Sequence, residues 1–342
     1  MKDYVPTLHH AKKVDPAKVE IYSYDLEDGI VGQMDGSGSN VLKIDESMPG
    51  VVKMLITSRI DHPDVQARER ATDLEVPLVE VDFAEFEKSK GVEKGMFVRA
   101  VNNIDALEDK DIKMAYQYTV DVRDQACKEL LKNMYDQMDA YGIKKDIPHF
   151  GAGFMSLWSD DAIKDLFVLT VHPGDLTKYS NDHLIRGQRR LTGDAWVPSA
   201  RAFAAGDEEL YSSIFLTMPG MDTGEVFMRG YALPVDYNRL QIDERDKEQL
   251  KIAGKAAQNT LKHIGDHVIA GATFKDLFEG KWGRSDGDLV YRFMDDWYKV
   301  PNGIRIQDHV INTRQTPFQL DPFTIEQKVE EFYDMVREDI GP

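Results

Sequence analysis

Apolar and polar positions alternate along the first half of the chain in a rhythm that predicts strands and helices by turns. Val19–Tyr24 is a short β-prone run predicted as the first strand. The stretch LEDGIVGQMDGSGSN after it reads as a long turn, with Val41–Ile44 opening a helix. Val51–Ser58 predicts a strand, Pro63–Asp73 a helix and Val76–Val81 the next strand. This βαβαβ order favours a largely parallel sheet. Asp82–Val101 is charged and predicts loop. Asp121–Tyr141 places Cys127, Leu130, Leu131, Met134 and Met138 along one broad face, the spacing of a long amphipathic helix whose methionines fill core.

Ile147–Met155 predicts a strand that runs into a glycine-containing turn, and Leu166–Val171 the next strand, which delivers His172 at its carboxyl end. Tyr179–Ser199 is polar and rich in turn residues. Ser212–Thr217 and Gly224–Ala232 resemble antiparallel strands flanking a turn at Asp222, so the sheet is expected to be mixed. Beyond them, Glu244–His267 has a helical pattern with Leu250, Ile252, Ala253, Ala256, Leu261 and Ile264 as core positions. Phe278–Arg284 and Tyr291–Ile304 suggest turns and short strands, and Thr324–Ile340 a closing acidic helix. The expected fold class is α/β with a mostly parallel mixed sheet and a C-terminal α+β extension. The expected organisation is an N-terminal extension over 1–18, a main domain over 19–236 and the C-terminal extension over 237–342.

Composition narrows the setting. A chain of 342 residues that is 42% hydrophobic and 30% charged can bury a sizeable core and belongs with soluble globular proteins. No apolar stretch reaches the roughly 18 residues of a membrane span, and the start MKDYVPTLHHAKK lacks the apolar centre of a signal peptide, so a cytoplasmic location is expected. Cys127 is the single cysteine and excludes an intrachain disulfide. A formal charge of −18 repels a nucleic-acid backbone, so nucleic acid is not an expected partner.

Two features carry candidate chemistry. His172, in Thr170-Val171-His172-Pro173, and Asp222, in Gly220-Met221-Asp222-Thr223-Gly224, pair a group that titrates near neutrality with a carboxylate able to fix its tautomer. The alternative is a satisfied core histidine and a turn aspartate. Ligands of open parallel sheets bind outside the carboxyl ends of the strands, which favours a functional His172. Gly36, Ser37, Gly38, Ser39 and Asn40 form a loop whose backbone N–H groups can meet an anion at a helix start; the alternative is a flexible linker. Arg186, Arg189 and Arg190 form either a solvated basic turn or a clamp for an anionic substrate. His263 and His267, four apart, lack a third ligand nearby, so no metal site is expected.

The segments GSGSN, ITSR followed by QARERA, GAGFMSLW, VHPGDLTKY and MDTGEV stand in the order and rough spacing of the folate-dependent formyltransferases. The chain resembles that family over Val19–Asp236, most of all its members that act on glycinamide ribonucleotide. The resemblance implies a Rossmann-like formyltransferase fold, 10-formyltetrahydrofolate as co-substrate and a phosphorylated small-molecule amine as partner. It assigns the substrate phosphate to Gly36–Asn40. The pterin pocket falls to Gly153, Phe154, Met155, Leu157 and Trp158, with Met221. Catalysis falls to His172 and Asp222, which would stabilise charge and move a proton as an amine displaces the folate nitrogen from the formyl carbon.

The chain departs from the family two residues before His172, where an asparagine amide is expected and Thr170 stands. A threonine hydroxyl still has one proton to donate, but it is shorter and must rotate into place. Three activities therefore stay open: formyl transfer to an amine, hydrolysis of 10-formyltetrahydrofolate, and folate or nucleotide binding without transfer. The C-terminal region, outside the resemblance, is expected to cap the active site, pair subunits in a homo-oligomer, or both.

Overall fold

The computed structural model describes residues 8, 11–59, 62–104, 107–152, 158–180, 188–193, 195–220, 222–313 and 318–340. The fold is α/β, with a mixed sheet in which parallel pairings predominate, flanking helices and a C-terminal α+β extension. The chain divides into two compact units. One comprises Asp25–Thr170 and Leu216–Gly224, the other Met1–Tyr24, Val171–Phe215 and Glu225–Pro342.

In the first unit, strands Leu78–Glu80, Val52–Thr57, Ile30–Met34 and His149–Ala152 lie side by side in that order, all parallel. The Val168–Thr170 part of strand Val168–His172 follows on the far side. The central strand Ile30–Met34 is buried at all five positions. It falls in the stretch expected to be a long turn, because Gly32 and Gln33 interrupt its apolar run. A Cβ at position 32 would stand 2.7 Å from Leu55 Cδ2, so glycine lets the Leu55 side chain pack against this strand. Only Asp35 separates this strand from Gly36, so the connection to GSGSN is short.

The long helix spans Lys110–Tyr141. Asp109 Oδ1 accepts from the N–H groups of Asp111 and Ile112 at its start, and Gly142 ends it at φ 68°. Its stripe of Ala126, Cys127, Leu130, Met134 and Met138 packs against Val31, Met54, Ile56 and Val168 of the sheet in one core. Each fully buried leucine or methionine of this kind contributes about 1.5–3 kcal/mol. The charged stretch 82–101, expected to be loop, instead forms helices Phe83–Ser89 and Met96–Asn103. Asp82 caps the first by accepting from Glu85 N–H, and most of its charges face solvent while Phe83 and Glu87 turn inward.

In the second unit, strand Val226–Arg229 runs antiparallel to Ser213–Phe215 and parallel to Ile304–Arg305. Helices Lys247–Leu261 and His267–Phe278 are joined by a π-helical turn over Lys262–Asp266. Helices Val197–Ala204 and Pro322–Ile340 pack against the first of them. Strands Trp282–Ser285, Asp288–Phe293 and Asp296–Lys299 form an antiparallel meander, with Glu20–Ile21 on one edge and Lys13–Val14 on the other. Its first turn is Asp286-Gly287, both at positive φ, as a two-residue hairpin of the I′ type requires. Of the strand expected over Val19–Tyr24, Glu20–Ile21 is what forms, and it pairs within this small sheet. Among the described residues, no helix is long and apolar enough to cross a membrane.

Candidate active site

The strand Val168–His172 presents Thr170 and then His172 as it ends. Thr170 Oγ1 lies 2.8 Å from Thr217 Oγ1, so one hydroxyl donates to the other. Room for this pair comes from Gly151, the register partner of Thr170 on the neighbouring strand, where a Cβ would stand 2.6 Å from Thr170 Oγ1.

His172 is buried, and its Nε2–H donates to the carbonyl of Leu191 at 2.7 Å. A carbonyl only accepts, so Nε2 carries the proton in the neutral ring and the lone pair resides on Nδ1. Phe215 meets the imidazole edge to face, with centroids 6.4 Å apart. Gly174 follows because a Cβ there would come within 2.8 Å of the Leu191 carbonyl oxygen and 3.1 Å of His172 Nε2.

Asp222 sits in a tight loop at φ 53°, a left-handed conformation that aspartate tolerates better than most residues. Thr223 Oγ1 donates to the Pro219 carbonyl at 2.8 Å. Gly224 is obligatory, since a Cβ would lie 1.4 Å from the Leu216 carbonyl oxygen. His172 and Asp222 belong to different units.

The Gly36–Asn40 loop leads into helix Ser39–Ser47, with Gly38 at φ 66° as its N-cap. Asp35 anchors it, accepting from Thr57 Oγ1 at 2.9 Å, Ser58 N–H at 2.7 Å and Ser58 Oγ at 2.6 Å. The Gly36 carbonyl accepts from Gln66 N–H and the Ser37 carbonyl from Arg70 Nε. Among the described residues, no atom lies within 4 Å of where a Cβ of Gly36 would project, and Asn40 Oδ1 is buried without a hydrogen-bond partner. A polar, open loop of this kind can admit an anion.

Trp158 Nε1–H donates to Gln33 Oε1 at 3.0 Å, and Gln33 Nε2–H donates to His149 Nδ1 at 3.0 Å. Burial pushes His149 down to about 3, so this imidazole is neutral at physiological pH and takes no part in proton transfer. The indole N–H is thus spent on holding Trp158 to the central strand.

Of the other expected site residues, Gly153, Phe154, Met155, Leu157 and Met221 lie outside the described residues, as does Arg186. Arg190 is committed to Asp207 through Nη2 at 2.7 and 2.6 Å, with Lys178 on the same carboxylate. Among the described residues, no group of three or more His, Cys, Asp or Glu side chains is placed to hold a metal ion. Sequence reasoning did not single out Thr217, which meets Thr170, Leu191, which meets His172, or the buried Gln33 and Asp35. Asp35, a polar residue between an apolar run and a glycine loop, carried the one usable signal.

The sequence matches no family model and no curated protein. Solved structures do resemble it. The phosphoribosylglycinamide formyltransferase of Coxiella burnetii is 15% identical, with 82% of this chain and 99% of that chain covered and a TM-score of 0.50. The chain has the formyltransferase fold. The corresponding enzyme of Anaplasma phagocytophilum is 14% identical over 78% of this chain and 95% of that one, at a TM-score of 0.47. A sugar N-formyltransferase of a Shewanella species is 9% identical over 89% of this chain and 87% of that one, at 0.37. At 15% identity the likeness to the Coxiella burnetii structure establishes architecture, and the chemistry must be argued from the residues.

Proposed function

We propose that this protein transfers a formyl group from 10-formyltetrahydrofolate to a primary amine of a small molecule. The observation that carries the reading is the placement of Thr170 and His172 at the carboxyl end of a strand in a formyltransferase fold, with the hydroxyl of one and the tautomer of the other held by named partners. Attack by an amine builds negative charge on the formyl oxygen and leaves a proton to be moved from the attacking nitrogen to the departing one. Thr170 is the donor assigned to that oxygen. His172 takes the proton at Nδ1, since Nε2–H is committed to Leu191, and Asp222 is the carboxylate assigned to steady the charged ring. The segment ending at Trp158 is assigned to the pterin, and the anchoring of Trp158 by Gln33 fits a wall of that pocket.

The Gly36–Asn40 loop supports a phosphorylated acceptor, with glycinamide ribonucleotide, an intermediate of purine biosynthesis, as the first candidate. The site of action on this reading is the cytoplasm. The test is incubation with 10-formyltetrahydrofolate and a panel of amines including glycinamide ribonucleotide and nucleotide-linked amino sugars, with mass spectrometry of the products. Formylated amine is expected, and its loss in His172→Ala with folding intact. Deformylation in the absence of any amine points to a hydrolase. Folate binding without turnover of any amine points to a binding protein, the reading that Thr170 in place of an amide favours.

A further inference from the structure

A pair of arginines outside the candidate active site has chemistry that the fold leaves unspent. Arg229 and Arg305 are register partners on the parallel strands Val226–Arg229 and Ile304–Arg305. Register partners project from the same face of adjacent strands about 4.8 Å apart, where like charges repel. Both guanidiniums lie over the ring of Tyr211, at 5.6 and 5.4 Å from its centroid. That ring is buried and forms a floor beneath them.

Their counter-charge is incomplete. Arg229 Nη1 makes two long contacts, to Asp175 Oδ2 at 3.3 Å and Thr177 Oγ1 at 3.4 Å. Asp175 divides its attention, since its Oδ1 accepts from both the N–H and the hydroxyl of Thr177. Among the described residues, the Arg305 guanidinium meets no carboxylate. Asp308 is turned to the backbone N–H of Arg305, and Glu209 to the hydroxyl of Tyr211. Among the described residues, the Nε atoms of both arginines are buried without an acceptor. A chain with a net charge of −18 had acids to spare for this position. A half-buried guanidinium pair in which one member has a single long carboxylate contact and the other has none is a site prepared for an anion.

We propose that Arg305 and Arg229 bind an oxyanion, the phosphate or carboxylate group of a small molecule, with Tyr211 as the floor of the site. The planar fork of a guanidinium matches the oxygen spacing of both groups and can engage either bidentately. Asp175 lies three residues beyond His172, so an anion on Arg229 is felt by the turn that follows this histidine. The site stands independently of the formyl-transfer reading.

The test is calorimetric titration of the full-length protein with inorganic phosphate and, separately, with malonate, at constant ionic strength in chloride buffer. Wild-type protein is expected to bind at least one of them saturably, and Arg305→Gln to bind it about ten-fold or more weakly, the loss expected of a charge-assisted pair. Binding of phosphate marks a phosphoryl group as the natural ligand and binding of malonate a carboxylate. Arg305→Gln breaks no ion pair and relieves repulsion while losing one contact with the Tyr211 ring, so it is expected to fold cooperatively and to melt close to wild type in the absence of either anion. No saturable binding by wild type, or equal affinity in the folded variant, overturns the proposal.

Discussion

On the proposed function formyl transfer depends on Thr170, and its partner makes that dependence measurable. Thr217 Oγ1 stands 2.8 Å away, and each hydroxyl has one proton and two lone pairs. If Thr217 donates to Thr170, the Thr170 proton is turned outward, toward a formyl oxygen. Thr170→Val removes that donor at nearly constant volume, and loss of one oxyanion donor lowers kcat by about 10²–10³, or ~2.7–4 kcal/mol. Thr217→Val leaves the donor in place and removes what orients it. A neutral hydrogen bond is worth about 0.5–1.5 kcal/mol net, which converts to a fall of about two- to twelve-fold. Because the interaction strengthens in the transition state, kcat and kcat/KM fall together and KM holds steady. The assay is single-turnover formyl transfer with the best amine of the panel, alongside melting curves. A Thr170→Val protein with more than half of wild-type kcat would refute the assignment. So would a Thr217→Val protein as impaired as Thr170→Val while equally stable, since the donor itself survives in it.

Three further predictions concern the frame around the site. Arg123 and Glu87 form a buried ion pair, with the guanidinium also facing the rings of Phe83 and Phe97. Arg123→Met leaves Glu87 buried and unpaired and should lower urea stability by about 3–5 kcal/mol, with much of that restored in Arg123→Met/Glu87→Leu; equal losses in both would mean that the arginine acts through packing alone. His149 is held by burial at about 3, below the 6.5 of an unconstrained imidazole, so its contribution is present above pH 6.5 and is lost as pH falls toward 3. His149→Gln, which keeps an acceptor for Gln33, should flatten the stability slope in that window by up to about 1.4 kcal/mol per pH unit, and an unchanged slope counts against the reading. Gly224→Ala puts a Cβ 1.4 Å from a backbone oxygen that cannot rotate away, so a loss of over about 3 kcal/mol in chemical denaturation is expected; a stable, fully active variant would show that the loop is not built as described.

Legibility varied with the range of the interaction. The Lys110–Tyr141 helix was readable because its apolar stripe repeats at helical spacing, and the strand ending at His172 because it is a short continuous apolar run. Ile30–Met34 was not, since Gly32 and Gln33 look like turn residues until their partners are known. Gln33 is buried because it joins His149 and Trp158, 116 and 125 residues away, which no local pattern discloses. Phe83–Ser89 was missed because its charges suggested loop, although aspartate at position 82 and glutamate at 85 are an N-terminal helix signal. Within the site, His172 could be singled out from its place at the end of a strand, and Thr170 from its departure from the family pattern. Thr217 and Leu191 could not, because their roles follow from register and from where a loop returns.

Polar residues in the parallel-strand unit gather at the carboxyl ends of its strands: Gln33 and Asp35 on one, Thr57 and Ser58 on the next, Thr170 on a third. Buried polar groups of this kind are tolerated when their donors and acceptors are paired, and once paired they hold neighbouring strand ends in fixed relation. Asp35 is the sharpest case. Its carboxylate accepts three hydrogen bonds from two residues that are themselves fully buried, and the next residue is Gly36. Hydrogen bonds to a charged acceptor are worth about 1.5–3 kcal/mol against ~0.5–1.5 for neutral ones, so Asp35→Asn gives up about 1 kcal/mol at each of three contacts. A loss of about 3 kcal/mol in urea denaturation is therefore expected, with faster amide exchange across the Gly36–Asn40 loop as the end of its strand loosens. Val52→Ala, at the opposite end of the neighbouring strand, should lower stability while leaving exchange in that loop unchanged. If the two variants loosened the loop equally, the carboxyl-end network would be ordinary core, and the geometry of the Gly36–Asn40 loop would have to come from the helix Ser39–Ser47 instead.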